Sequence, residues 1–390
     1  MNSNLLEPAV QQFIREHTAD DIATIALQRN PFPEISWQEI LGQIAARQKA
    51  KDKLPTWYAA HNIIYPSKVS VEQTSSETAA KYKAGLISGE SLIDLTGGFG
   101  IDDYYFSKKV KEVFHCEMNL GLSAIAAHNF EVLGADNIKP APGDSTDTLR
   151  LLNRQWDWIY IDPSRRSDIK GKVFLLKDCL PDVPALEDFY FRYSKNIMVK
   201  TAPLLDISAG LGELHSVKAI HIVAIQNEVK ELLWILEKDF DGVPVVEAVN
   251  ITKEGTQAFA APVEDLPSAP LSPPQKYLYE PNSAVMKSGA FNRVAVHFGL
   301  CKLHRNSHLY TAVTPSDFPG RRFEIKEVLD YSKVEMKKLE GTKVNITARN
   351  FPLSPDELRK KWKIKDGGDL YAFFTTNMQN EKIVLLCGKI

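Results

Sequence analysis

A short apolar stretch, Ser91–Leu95, runs straight into Asp94-Leu95-Thr96-Gly97-Gly98-Phe99-Gly100, after which the chain turns amphipathic. Few arrangements tolerate so much glycine at that place. A strand that ends in such a turn and feeds a helix lets backbone approach a bound group closely and aims helix N–H groups at it. The pattern downstream agrees. Apolar strand candidates at Lys111–Cys116, Asn137–Ala141, Trp156–Ile161, Asn196–Lys200, Val217–Ile225 and Val243–Ile251 alternate with helical stretches such as Asn119–Leu133 and Leu186–Ser194. This alternation predicts an α/β, Rossmann-like domain. Its mostly parallel seven-stranded sheet would be covered on both faces, with ligands at the carboxyl ends of the strands.

The flanking regions read differently. Pro8–Leu27 and Trp37–Lys51 place apolar residues three and four apart, with the breaker Asn30-Pro31-Phe32-Pro33 between them. Residues 1–70 are therefore expected to form a helical layer, and 71–264 the α/β domain. The stretch from Glu264 to Pro274 is dense in proline and small residues, which favours an extended spacer. Beyond it the segments shorten. A strand (Lys276–Tyr279), a short helix opened by Pro281 and Asn282, and a strand near Arg293–Phe298 are followed by a second series. That series is strand Arg322–Val328, helix Lys333–Leu339, strand Lys343–Ala348, helix Pro355–Trp362 and strands Leu370–Thr375 and Lys382–Leu386. The order is α+β, and the expected modules are 276–321 and 322–390.

Charge separates along the same line. The formal net charge of -2 hides 20 Lys and Arg against 12 Asp and Glu from Lys276 onward, leaving 27 against 37 before it. A basic part beside an acidic part suits polyanion capture by the former; a solvated basic surface is the other reading. Cys116, Cys179, Cys301 and Cys387 lie far apart, with no CxxC and no neighbouring His pair. No metal is expected, and the spacing fits a reducing cytoplasm. Met1–Val10 shows no basic-then-apolar signal pattern, and no apolar run approaches the ~18 residues of a membrane span, so a cytoplasmic location without a membrane is expected.

Two cofactor classes use a glycine turn of this kind, dinucleotides and S-adenosylmethionine. The dinucleotide pattern GxGxxG needs a glycine where Asp103 stands. The other pattern, an acid followed by glycines at +2, +4 and +6, is met by Asp94, Gly98 and Gly100, with Thr96 replacing the first glycine and Gly97 inside the turn. Glu117 ends the second strand, where an acid accepts hydrogen bonds from ribose hydroxyls of either cofactor. Asp144, after the third strand, stands where an acid meets the adenine amino group; it equally suits a helix cap before Ser145.

The fourth strand separates the two classes. Asp162-Pro163-Ser164-Arg165-Arg166 resembles the Asp/Asn-Pro-Pro-aromatic signature of methyltransferases that modify exocyclic amines of nucleobases. In that chemistry the acid and the carbonyl beside the proline orient the amine toward an electrophilic methyl group. Ser164 departs from the second proline, and Arg165 from the aromatic; arginine stacks through its guanidinium plane and binds phosphate, as can Arg166. Lys200, ending the fifth strand, is placed to meet substrate phosphate or carboxylate. Upstream, Thr74-Ser75-Ser76-Glu77 reads as a helix cap through Ser76 or Thr74. The segment is similar to ones that lie over the cofactor in RNA methyltransferases, and that resemblance implies cofactor contacts for Thr74 and Ser76.

Together these motifs resemble a bacterial class I S-adenosylmethionine-dependent methyltransferase family with a THUMP-like C-terminal domain. Tyr279-Glu280-Pro281-Asn282-Ser283-Ala284, Phe318-Pro319-Gly320-Arg321, Arg349-Asn350-Phe351-Pro352, Leu358-Arg359-Lys360-Lys361 and Gly367-Gly368 extend the resemblance through the C-terminal part. It implies a ferredoxin-like module before the THUMP-like domain and S-adenosyl-L-methionine as cofactor. It further implies methylation of a base nitrogen in structured RNA, tRNA or rRNA. A phosphate-binding face would then include Lys360 and Lys361. The competing expectations are an NAD-dependent oxidoreductase and a non-catalytic RNA-binding protein with a vestigial pocket.

Overall fold

The computed structural model describes residues 2–66, 68–165 and 175–390. It divides into two compact units, Met1–Lys218 with Leu233–Asp241, and Ala219–Leu232 with Gly242–Ile390.

In the first unit β1 (Ser91–Asp94) lies between β2 (Glu112–Glu117) and β4 (Trp158–Ile161). β3 (Ile138–Pro142) continues outward from β2, and β5 (Asn196–Thr201) from β4; all these pairs are parallel. Every residue of β4 is buried, as expected for a strand covered on both faces. The N-terminal region is helical as its spacing requires, with Pro8–Glu16 and Trp37–Lys53 as its longest pieces. Val10, Ile14, Ile40 and Ile44 form one cluster there. Ala46, Ala50, Leu54 and Trp57 join another that includes Phe99 and Ile101 from the glycine turn. Trp57 meets Phe99 and Tyr104 at ring-centroid distances of 6.4 and 4.7 Å. The helical layer thus buttresses the turn.

Among the described residues the larger sheet has nine strands, two more than the sequence pattern shows. The additions are β7 (Glu228–Glu237) and β9 (Thr256–Pro262), in a series with β6 (Val217–Ile225) and β8 (Val245–Ile251). β6 pairs in parallel with β8, and β8 in antiparallel with β9. The sequence hides the entry into β7 because its turn uses Gln226 and Asn227 at φ of 51° and 64°, with no glycine to mark it.

The second unit also carries a seven-stranded sheet. Its members are β10 (Tyr277–Pro281), β11 (Cys301–Lys302), β12 (Tyr310–Ala312), β13 (Gly320–Asp330), β14 (Asn345–Ala348), β15 (Leu370–Thr376) and β16 (Lys382–Lys389), in the order β11-β12-β10-β13-β16-β15-β14. β13 pairs with β10 on one side and β16 on the other, so the two small modules share a strand. The helix Pro355–Trp362 forms where the sequence places it, opened by a Ser354/Glu357 capping box.

Two expectations are corrected. The strand expected near Arg293–Phe298 is a helix, Phe291–His297. Val294 and Ala295 are buried while Val296 is exposed, a helical rather than alternating pattern. Asp265 caps it, accepting the N–H groups of Asn292 and Arg293 at 2.9 Å. The same contact shows that the proline-rich stretch is no loose spacer. Lys302 donates its N–H to Pro270 O at 2.8 Å, and Ser272 donates to Lys302 O at 3.1 Å.

Candidate active site

β1 ends at Asp94, which is 1% exposed. Its Oδ1 accepts the Thr96 N–H at 2.7 Å and the Thr96 hydroxyl at 3.1 Å. That hydroxyl accepts the N–H of Asp162 at 2.7 Å. A glycine at position 96 would have no group to offer; the threonine ties the end of β1 to the end of β4.

The glycines do separate work. Gly97 donates to Cys116 O at 2.8 Å, and a Cβ there would lie 2.2 Å from the His115 ring. A Cβ on Gly100, at φ 79°, would lie 2.3 Å from Phe130. Gly98, at φ 57°, differs: a Cβ on it would meet nothing nearer than 3.7 Å, so space opens beside the turn. Its N–H is held by Glu117 Oε2 at 2.9 Å, while Glu117 Oε1 accepts the Asn119 N–H at 2.6 Å. Each of these oxygens keeps a second lone pair for a ligand hydroxyl. Asp144 caps the helix Ser145–Leu152 through Oδ1 alone, from Thr146 N–H at 2.8 Å and Asp147 N–H at 3.0 Å, so the cap does not use its second oxygen.

At the end of β4, Asp162 is half-buried, Pro163 buried, and Ser164 and Arg165 exposed. Ser164 and Arg165 pair in antiparallel with Leu180 and Cys179, in a two-stranded sheet of their own. Lys200, from β5, forms an ion pair with Asp162 Oδ2. Arg166 lies outside the described residues. Lys360 and Lys361 belong to the other unit, exposed on the helix Pro355–Trp362.

The upstream segment engages the site through a residue that its motif does not single out. Ser76 caps the helix Glu77–Ala84 by accepting the Ala79 N–H at 3.2 Å. Ser75 instead is buried and donates to Asp102 Oδ2 at 2.9 Å, the oxygen that also accepts the Tyr160 hydroxyl at 2.8 Å. Lys83, wholly buried, lies 3.0 Å from Asp102 Oδ1 and donates to Ser75 Oγ at 2.8 Å. Burial alone would push the Asp102 carboxyl up; Lys83, Lys200 and the Tyr160 hydrogen bond hold it below the ordinary carboxylate range. Thr74 is half-buried beside this network.

A second cluster underlies the turn. Asp103 Oδ2 and His115 Nδ1 are 2.5 Å apart, both fully buried. Burial, reinforced by neighbouring carboxylates, pushes Asp94 and Asp103 well above the ordinary carboxylate range, and burial pushes His115 down. The consecutive acids Asp102-Asp103, directly behind a glycine turn, are the sequence signal for both clusters.

Residues 320–389 match the family model described as THUMP domain-like, and 277–319 the one described as a ferredoxin-like domain. A search of curated proteins finds no match. The crystal structure of a protein from Porphyromonas gingivalis W83, provisionally named a methyltransferase, superposes with a TM-score of 0.90. It is 32% identical over 100% of this chain and 98% of that one. The Escherichia coli protein yhhF, also provisionally named a methyltransferase, is 18% identical over 42% of this chain and 85% of its own, with a TM-score of 0.30. TrmK from M. capricolum, solved with S-adenosyl-homocysteine, is 15% identical over 41% and 68%, with a TM-score of 0.30. Overlaps that partial carry no weight; the full-length match does. The fold is that of a class I methyltransferase. The chain belongs to the bacterial class I methyltransferase family with a THUMP-like C-terminal domain.

Proposed function

We propose that the protein transfers a methyl group from S-adenosylmethionine to a base nitrogen in structured RNA. The observation that carries the reading is the 2.7 Å hydrogen bond from Asp162 N–H to Thr96 Oγ1, which joins the glycine turn to the Asp-Pro strand end. A cofactor cradle and an amine-binding group are thereby neighbours.

The residues fit the cofactor. The open space at Gly98, the lone pairs of Glu117 and the spare oxygen of Asp144 suit its amino-acid, ribose and adenine parts in turn. When bound, S-adenosylmethionine supplies an electrophilic methyl group. Asp162 Oδ1 and the Pro163 carbonyl then accept hydrogen bonds from the target amine and aim its lone pair, while Lys200 pins Oδ2. Arg165 holds the flanking nucleotide, and the basic face with Lys360 and Lys361 supplies phosphate contacts. A base inside folded RNA must leave its stack to reach Asp162. The dinucleotide reading requires a glycine at position 103, where the Asp103 side chain is buried against His115 instead.

Calorimetry with S-adenosylhomocysteine is expected to show binding that Gly98→Asp abolishes; equal binding by both proteins would overturn the cofactor assignment. Labelled methyl transfer to RNA from a strain lacking the gene is expected to fall at least about 100-fold in Asp162→Ala with cofactor binding retained. Undiminished transfer would overturn the role of Asp162. No transfer by the wild-type protein would favour the vestigial-pocket reading. Mass spectrometry of tRNA and rRNA nucleosides with and without the gene identifies the base.

A further inference from the structure

The second unit contains a cavity of about 1010 Å³ that the methyl-transfer site does not use. It is at the upper end of the roughly 300–1,000 Å³ typical of small-molecule sites. One wall is amide. Asn250 and Asn282, 2% and 3% exposed, each donate an Nδ2–H to Gln257 Oε1 at 3.1 Å, while their own Oδ1 atoms accept the N–H groups of Asn227 and Val285, so the pair fixes the half-buried Gln257 in the cavity lining.

Another part of the lining is cationic and built around one buried acid. Glu280, its side chain 5% exposed, accepts Arg321 Nε–H at 2.7 Å on Oε2 and Arg349 Nη2–H at 3.0 Å on Oε1. Two guanidinium groups on one carboxylate leave a surplus positive charge at a fixed point. Both are gripped along the Nε–Nη2 edge, so the Nη1 end of each is the donor left for a ligand. Arg321 and Arg349 side chains are 41% and 37% exposed, hence buried at the grip and open toward the cavity. Their rotamer entropy is already lost in holding Glu280, which lowers the cost of binding. Arg322, 3.4 Å from a fully exposed Asp317, and exposed Lys389 add charge at the rim, where Glu254 is a further acid.

Paired guanidinium donors match phosphate oxygens, and a rigid amide wall matches the hydrogen-bonding edge of a base. We propose that this cavity binds a ribonucleotide, with its phosphate on Arg321 and Arg349 and its base against the Asn250–Gln257–Asn282 wall. The nucleotide can belong to an RNA strand or be free; the first source rests on the RNA reading above, the second does not.

The test is fluorescence anisotropy of the full-length protein with a labelled single-stranded oligoribonucleotide, competed by AMP and by a polyglutamate peptide. Arg322→Glu and Lys389→Glu, both at the rim and away from the Glu280 grip, are each expected to weaken binding about tenfold or more with unchanged thermal melting. Lys276→Glu, in the same unit but exposed and outside the cavity lining, is expected to change it less than about twofold. Competition by AMP, or AMP binding without oligonucleotide binding, supports a free nucleotide; oligonucleotide binding without AMP competition supports an RNA strand. Polyglutamate competing as well as the oligonucleotide, unaltered binding by both rim variants, or an equal loss in the Lys276 control would each overturn the proposal. S-adenosylhomocysteine affinity, measured in parallel, separates this outcome from failure of the methyltransferase reading.

Discussion

Lys83 and Lys361 show how differently the two units treat the same side chain. Lys83 is wholly buried against Asp102 and Ser75, so its charge is desolvated and depends on those partners. Lys361 is exposed on its helix, donating to the Tyr331 hydroxyl at 3.2 Å and lying near the Trp362 ring. The charge of the Lys83–Asp102 pair is structural, and removing one partner strands the other. Most of the basic tract of the second unit is solvated or paired at the surface, Lys363 with Glu340 and Arg359 with Asp366, so it can be replaced with little effect on folding. Glu280 with its two arginines is where the second unit behaves like the first.

Lys83→Met tests that contrast most severely. It leaves Asp102 buried without its cation, and urea denaturation is expected to show a loss of about 3–5 kcal/mol, partly restored in Lys83→Met/Asp102→Asn. A loss under about 0.5 kcal/mol would break the comparison. Gly100→Ala places a Cβ 2.3 Å from Phe130 at a positive φ, and should cost about 2–4 kcal/mol by the same measurement, with part of it relieved by Phe130→Ala.

The pH dependence should differ in sign between Glu187 in the first unit and two buried histidines of the second. Burial pushes the Glu187 carboxyl, in the first unit, up to about 7. A raised carboxyl contributes stability below its ordinary range that is lost as pH rises through about 7, and Glu187→Gln is expected to flatten thermal melts between pH 5 and 8. In the second unit burial pushes His221 and His308 down to about 4. Their contribution is full above the ordinary histidine value and is lost as pH falls through about 4, so His221→Gln should flatten the acid limb instead. Smallest of all, Lys360→Glu/Lys361→Glu should leave stability within about 0.5 kcal/mol.

Much of this architecture is legible in the order of residues. β6 (Val217–Ile225) and the helix Pro355–Trp362 have the bounds their patterns indicate, because alternation and capping are local properties. β7 and β11 are not legible: β7 follows a turn without glycine, and Cys301–Lys302 is two residues of strand held by contacts distant in sequence, its partner β12 and the Pro270–Ser272 stretch. Phe291–His297 reads as a strand because Val294 and Val296 alternate, while the cap that selects helix comes from Asp265, across the supposed spacer.

The amino-acid order is enough to establish that a glycine turn follows an apolar strand, that acids end the next two strands, and that the fourth strand runs into Asp162-Pro163. Those are matters of local backbone preference and periodicity. What joins them follows from packing in three dimensions: the Thr96 hydroxyl meets the Asp162 N–H across 66 positions. Likewise Ser75, not Ser76, reaches Asp102, and Glu280 gathers two arginines, one from β13 and one just beyond β14. Which polar group lies buried beside which is set by that packing, and burial gives those contacts their strength.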